Sequence, residues 1–420
     1  MARFLLAWEI GGGLGHLVPL AQVAQPLVQR GHEVHFVLRD LAAARSTLGA
    51  LAASPRVRLW QAPLWQLPYR AQQPSASYAE LLFHAGYLDA QRLHGLVQGW
   101  QSLLDAIDPD LLLADHAPTA LLAARGRPLR RAHIGNGFFQ PPAVQPLPSF
   151  REWEPIDAQR LANTEARALA TCNAVLTAGG RGPMAALHEL LAADEDFLLT
   201  WPELDPYGHG PQGRPGAHYW GPLPAREQGE PARWPAGSEP ALFAYLKGDY
   251  ASLETVLQQL AQAPCRTLVH VSGLSVAQRQ RHANDRLCFS EGAVSMASAM
   301  SQASAVLCHA GAGTLHAALR AGLPMLLLPM HVEQLLQARR VHAAGAGEVL
   351  IGADVGGRFL PTLARVLGDS GLRQRAQALA DRHPPAPDGD VAQRVAERCI
   401  ALAEMAAPAT PAASCPSPRD

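Results

Sequence analysis

The 420-residue sequence predicts two doubly wound α/β domains, on three observations: apolar runs alternate with helix-like segments from residue 3 to 177, a Pro- and Gly-rich stretch interrupts them at 201–240, and a second alternation begins at Ala241. Strands buried on both faces by helices read as continuous apolar runs. Residues 3–10 are such a run with one acid, and a glycine turn, a helix at 17–30, a stop at Gly31 and a strand at 33–38 complete a βαβ unit. Strands follow at 57–61, 111–114, 131–134 and 174–177, with one or two helices at 78–106 and further helices at 119–125 and 158–172. The second series places strands at 242–246, 267–271, 287–289, 305–308 and 325–328. The expected division is therefore 1–200 for the first domain, 201–240 for a linker, 241–390 for the second domain and 391–406 for a long closing helix. Residues 407–420, rich in Pro, Ala and Ser, are expected to be a disordered tail.

Composition narrows the function. With 35 basic against 36 acidic residues the chain has no field to draw nucleic acid or an anionic membrane, so its expected partners are small molecules. No run approaches the roughly 18 apolar residues of a membrane span. The cysteines at 172, 265, 288, 308, 399 and 415 form no C-x-x-C pair, which argues against zinc and suits reduced thiols in a cytosol. The opening FLLAW, with Glu9 close behind, is too short for a secretory signal and reads as a strand.

The most informative segment is CHAGAGTLHAALRAGLPMLLLPMHVEQLLQARRVHAAGAG, beginning at Cys308. Here a buried strand leads into Gly311-Ala312-Gly313-Thr314, where missing Cβ atoms let the chain turn and leave free amides at the start of a helix expected from Thr314. Such amides, with half a unit of positive charge and a Thr hydroxyl, suit a phosphate pair without a metal or other cofactor. Glu333 and Gln334 then open another helix, placed to take sugar hydroxyls.

This order of His309, Gly311, Gly313-Thr314, Ala-Gly-x-Pro and Glu333-Gln334 resembles the donor signature of glycosyltransferase family 1. The resemblance implies the fold called GT-B, two Rossmann-like domains facing across a cleft, and transfer of a sugar from a nucleotide diphosphate to a small, often lipophilic acceptor. It also implies that His309, Gly311, Gly313 and Thr314 hold the diphosphate and that Glu333 and Gln334 hold the sugar. The final helix of that fold commonly packs back across the cleft.

Inverting transfer needs a base for the acceptor hydroxyl, and histidine is the natural choice near neutral pH. His16 follows Gly11-Gly12-Gly13-Leu14-Gly15 beyond the carboxyl end of the first strand, where open α/β sheets place ligands. Gly15-His16-Leu17-Val18-Pro19 is similar to the family's G-H-x-x-P, which carries its catalytic histidine; helix capping is the plainer reading. Asp115, ending a later apolar strand, is the matching acid to orient and stabilise the imidazole. It could instead cap the next helix, and its neighbour His116 could exchange roles with it. Lys247, the one lysine of the chain, stands where family members carry a small Ser or Thr loop near the phosphates; it is either a cation for the leaving diphosphate or a solvated surface residue.

Two departures bear on the donor. Many uridine-diphosphate users carry Glu eight residues after the signature His to hold the ribose, and here that residue is Ala317. The aromatic residue that often stacks on the base is also missing upstream, which leaves base recognition to backbone groups near Val294. Uridine and thymidine donors both stay open. Trp65, Phe83, Phe138 and Phe139, among Trp60, Tyr69, Tyr78 and Tyr87, mark the expected acceptor pocket.

Other readings are weaker. A nicotinamide oxidoreductase is expected to show a third glycine where His16 stands, and its only acid after the second strand is Asp40. A sugar-nucleotide epimerase needs several carboxylates around the sugar, and a non-catalytic nucleotide-sugar binder or assisting subunit leaves His16 and Asp115 without a purpose. His309, His316, His331 and His342 lack the spacing of a zinc site.

Overall fold

The computed structural model describes every residue except 14, 209, 225–228, 385–389 and 406–420. Two compact units emerge. The first comprises the described residues of Met1–Thr200, Gly216–Gly221 and Gly389–Asp420, and the second those of Trp201–Pro215 and Pro222–Asp388. The expected tail at 407–420 lies outside the described residues.

The first unit carries β1 (Arg3–Trp8), β2 (Glu33–Leu38), β3 (Val57–Gln61), β4 (Leu111–Asp115), β5 (Arg130–Gly135) and β6 (Glu195–Leu198). They form one parallel sheet in the order β3-β2-β1-β4-β5-β6. Strand order reverses between β1 and β4, and their carboxyl ends open the crevice where this topology binds ligands. Side chains of β1 and β4 are buried almost throughout, as their uninterrupted apolar runs require.

The second unit carries β7 (Ala241–Lys247), β8 (Arg266–Ser272), β9 (Leu287–Phe289), β10 (Ala305–Cys308), β11 (Met325–Leu327) and β12 (Gly347–Val349). Their order is β12-β11-β10-β7-β8-β9, again all parallel, with the reversal between β10 and β7. One core lies on the face holding Leu242, Ala244 and Leu246, the other on the face holding Phe243, Val306 and Cys308.

One predicted strand is not a strand. Residues 174–177 continue the helix Ala158–Ala178, whose buried residues Ala168, Cys172, Val175 and Leu176 recur at helical spacing. A short apolar run cannot declare its own period, and the seam already set by Ala168 and Cys172 carries it into the helix. The sixth strand is instead Glu195–Leu198, too short and acidic at its start to be read as one. β12 was likewise not foreseen, because GEV is a three-residue edge strand with a glycine.

The closing helix spans Val391–Glu404 and belongs to the first unit. Val395, Ala396, Cys399 and Leu402 are its buried stripe, and Arg398 pairs with Glu195 of β6 at 2.9 Å. Among the described residues no helix is long and apolar enough to cross a membrane.

Because Leu176 is fully buried in the seam of the helix Ala158–Ala178, Leu176→Ala is expected to cost about 2–5 kcal/mol of stability. Urea unfolding followed by circular dichroism measures it, and a loss under about 0.5 kcal/mol, the range of surface changes, contradicts the helical seam.

Candidate functional site

At the reversal point of the first sheet two turns are tied together. Past β1, the Ile10 N–H donates to the His116 carbonyl at 3.0 Å. The buried Glu9 carboxylate accepts from the Thr119 N–H at 2.9 Å and from the Thr119 hydroxyl, which also bonds the Tyr87 hydroxyl at 3.0 Å. Burial pushes the Glu9 carboxyl up to about 7, against the lowering effect of these bonds.

These turns carry His16 and Asp115. His16 Nδ1 lies 2.8 Å from Asp115 Oδ1, and the two residues are 8% and 2% exposed. Burial raises the Asp115 pKa while His16 and, more weakly, His133 pull it down. With an Nδ1–H donated to Asp115, His16 keeps its lone pair on Nε2. That nitrogen lies against Gly11, where a Cβ would stand only 2.4 Å away. Gly11 also has a φ of +95°, so both space and backbone conformation call for glycine there. Trp8 stacks on the His16 ring at 5.6 Å and Phe139 tilts against it at 5.4 Å.

Two open points about this pair close on the geometry. Asp115 does not cap the helix Pro118–Ala124, whose N-cap is Ala117 with no side-chain bond. His116 makes no bond to His16; its ring stacks on Phe139 at 3.5 Å, and both its nitrogens are buried with no hydrogen-bond partner among the described residues. A cavity with room for about one water lies beside it, lined in part by Ala114, His133, Phe139 and Gln140. Burial, reinforced by neighbouring His16, holds the His116 pKa well below the ordinary imidazole value.

In the second unit the turn after β10 differs from its predicted form. The left-handed residue is Ala310, with φ 60°, whereas Gly311 has a φ of −67° and caps the helix Ala312–Arg320. That helix begins two residues before Thr314. A Cβ at Gly311 or Gly313 would meet nothing within 4 Å, so these glycines leave open space before the first amides of the helix. His309 is held on both sides: Nδ1–H donates to the Leu328 carbonyl at 2.7 Å, and Nε2 accepts from the Lys247 N–H at 3.0 Å. Burial lowers its pKa, consistent with a neutral ring that has no N–H left for a phosphate in this state.

Lys247, at the end of β7, is exposed and forms no ion pair among the described residues. Glu333 and Gln334 lie in the first turn of the helix Val332–Ala343, and the Gln334 side-chain carbonyl accepts from the Met330 N–H at 2.9 Å. Val294 sits between Ala293 and Ser295, whose C=O and N–H are both taken by Glu230. The groups of Val294 itself point the other way, as alternation along an extended chain requires.

A family model described as the C-terminal domain of erythromycin biosynthesis protein CIII-like proteins matches residues 275–402. A PGL/p-HBAD biosynthesis rhamnosyltransferase of Mycobacterium bovis is 26% identical over 392 residues, which cover 88% of this chain and 81% of that protein. Among solved structures, the calicheamicin glycosyltransferase CalG4 superposes with a TM-score of 0.69 at 19% identity, covering 97% of this chain and 99% of that one. SsfS6 of Streptomyces sp. SF2575, solved with thymidine diphosphate, gives 0.61 at 17% identity, with 95% and 100% covered. Together these likenesses support a family 1 glycosyltransferase.

The two α/β units are those of the GT-B fold. In this chain the aromatic residues expected around the acceptor divide by burial. Phe83 and Phe138 are 4% and 2% exposed and serve as core, because their helix and loop turn inward. Trp65 is half-buried over Gly86, with the Arg92 guanidinium 5.8 Å from its ring. Phe139 alone of the four stands against His16. Asp40, the acid a dinucleotide site needs, caps the helix Leu41–Leu48 by accepting from the Ala43 N–H at 2.9 Å. His316 and His342 give their Nδ1 contacts to the carbonyls of Ala312 and Gly347 at 2.8 and 3.0 Å, so both are tied to their own local backbone.

Gly11→Ala is expected to displace the His16 ring and to cut transfer by about 10-fold or more, in line with 1.4 kcal/mol or more of lost transition-state stabilisation, with little change in donor affinity; steady-state kinetics beside donor titrations measure both. Glu9 gives a pH signature. Its folded pKa of about 7 exceeds the ordinary 4.5, so the folded state holds its proton more tightly, and the stability linked to Glu9 is full below 4.5 and is lost as pH rises towards 7. Relative to Glu9→Gln, the wild type should therefore lose melting temperature between pH 4.5 and 7; parallel pH dependences would remove the assignment.

Proposed function

We propose that this transferase moves a hexose or deoxyhexose, with inversion, from a thymidine- or uridine-diphosphate sugar to a hydroxyl of a small, lipophilic acceptor. The observation that carries the reading is the buried 2.8 Å contact between His16 Nδ1 and Asp115 Oδ1 beside the glycine turn. His16 Nε2 takes the proton of the acceptor hydroxyl as that oxygen attacks the anomeric carbon and the nucleotide diphosphate leaves. Asp115 holds the tautomer and stabilises the imidazolium as it forms.

Donor roles follow the same reasoning. The diphosphate is taken by the amides at Gly311–Thr314 and the Thr314 hydroxyl, with Lys247 supplying charge as the leaving group departs. Open space at Gly311 and Gly313 supports close approach of a phosphate, and His309 serves the site by holding the Lys247 amide. Glu333 and the amide nitrogen of Gln334 take sugar hydroxyls, and Val294 offers backbone groups to the base. A rhamnosyltransferase among the relatives and a thymidine diphosphate complex among the structural neighbours support a deoxyhexose on thymidine diphosphate. Ala317, which has no side-chain acceptor for a ribose hydroxyl, agrees with that choice. Trp65 and Phe139 are the acceptor-side aromatics, Phe139 being the one beside the base.

A thermal-shift panel of thymidine-, uridine- and guanosine-diphosphate sugars tests the donor, since a ligand at a hundred times its dissociation constant adds about 2.7 kcal/mol. With the stabilising donor and small lipophilic alcohols, His16→Ala is expected to lower turnover about 10²–10⁴-fold at nearly unchanged nucleotide affinity. An unchanged turnover number would remove His16 as the base.

A further inference from the structure

Tyr245 is an exposed aromatic in the middle of a buried sheet. On β7 the residues around it are buried, yet Tyr245 itself is 38% exposed. It pairs in register with Cys308 of β10 on one side and His270 of β8 on the other. Alternation along β7 puts it on the face of Phe243, the face packed against the helices Met296–Gln302 and Ala312–Arg320. It therefore stands at the carboxyl edge of the second sheet, beside the strand whose next residue, His309, opens the phosphate turn.

The ring is held from behind. His270 stacks on Tyr245 with centroids 5.0 Å apart and planes 26° apart, and His270 Nδ1 lies 2.8 Å from the Ser290 hydroxyl. Ser290 belongs to the segment that runs on to Val294, so this contact ties the Tyr245–His270 pair to that segment. A flat, pre-oriented ring, one strand from the phosphate turn and anchored to the segment where the Val294 backbone groups have no hydrogen bond among the described residues, has the arrangement a nucleobase needs.

We propose that the Tyr245 face turned away from His270 is the stacking surface for the pyrimidine base of the donor, with His270 as a positioning residue. This inference rests on the proposed donor reading. It assigns to β7 and β8 the stacking role that the residues before Val294 lack, and a pyrimidine ring edge would meet the Val294 N–H and C=O.

Isothermal titration of the full chain with thymidine diphosphate, uridine diphosphate and inorganic pyrophosphate tests it. Tyr245→Ala is expected to weaken both nucleotides about 10-fold or more, the worth of one base–aromatic stack, and to leave pyrophosphate within 2-fold of wild type. Tyr245→Phe should bind nucleotides like the wild type, which separates stacking from misfolding. Unchanged nucleotide affinity in Tyr245→Ala, or an equal loss for pyrophosphate, overturns the proposal. A wild type that binds pyrophosphate but neither nucleotide overturns it as well, and a wild type that binds none of the three removes the donor reading beneath it.

Discussion

Strands β1 and β4 lie side by side, and this pairing is the constraint on which the N-terminal chemistry depends. It brings His16 and Asp115, 99 residues apart, to a single hydrogen bond. The parallel ladder matches Trp8 with Asp115, so the two carboxyl ends finish level and their turns meet above the same edge. Glu9 and Ile10 then clamp the second turn through Thr119 and His116. Without that clamp two flexible turns would each lose conformational entropy to form one contact; with it, most of the ordering is already done by the fold.

The second unit solves a similar problem with a histidine. His309 links the end of β7 to the segment after β11 through two backbone hydrogen bonds, fixing the turn that opens the helix Ala312–Arg320. Left-handed Ala310 tightens the turn, and the two glycines keep the space in front of the amides clear. A signature histidine thus has a framework role here, because a neutral ring with its donor and acceptor both engaged braces two strands.

Much of the fold was legible because parallel strands buried on both faces leave an unambiguous apolar run. β2, β3, β9 and β10 have the predicted limits. Misreadings fell where the local pattern was short. The segment 174–177 joined a helix whose seam lay upstream, and β6 and β12 are held by their neighbours rather than by their own composition. Among the aromatics, sequence position could not separate Phe138, buried in the core, from Phe139, stacked on His116 and tilted against His16. Adjacent loop residues differ only in the direction the backbone turns them.

By itself the sequence determined the two α/β units and the motifs at their strand ends, because hydrophobic period and turn residues are local properties. Only the tertiary structure decided that Asp115, not His116, bonds His16, that His309 braces the backbone, and that Tyr245 is exposed against His270. Each depends on strand register and on side-chain direction across residues far apart in the chain, and a linear pattern does not encode which partner an atom will face.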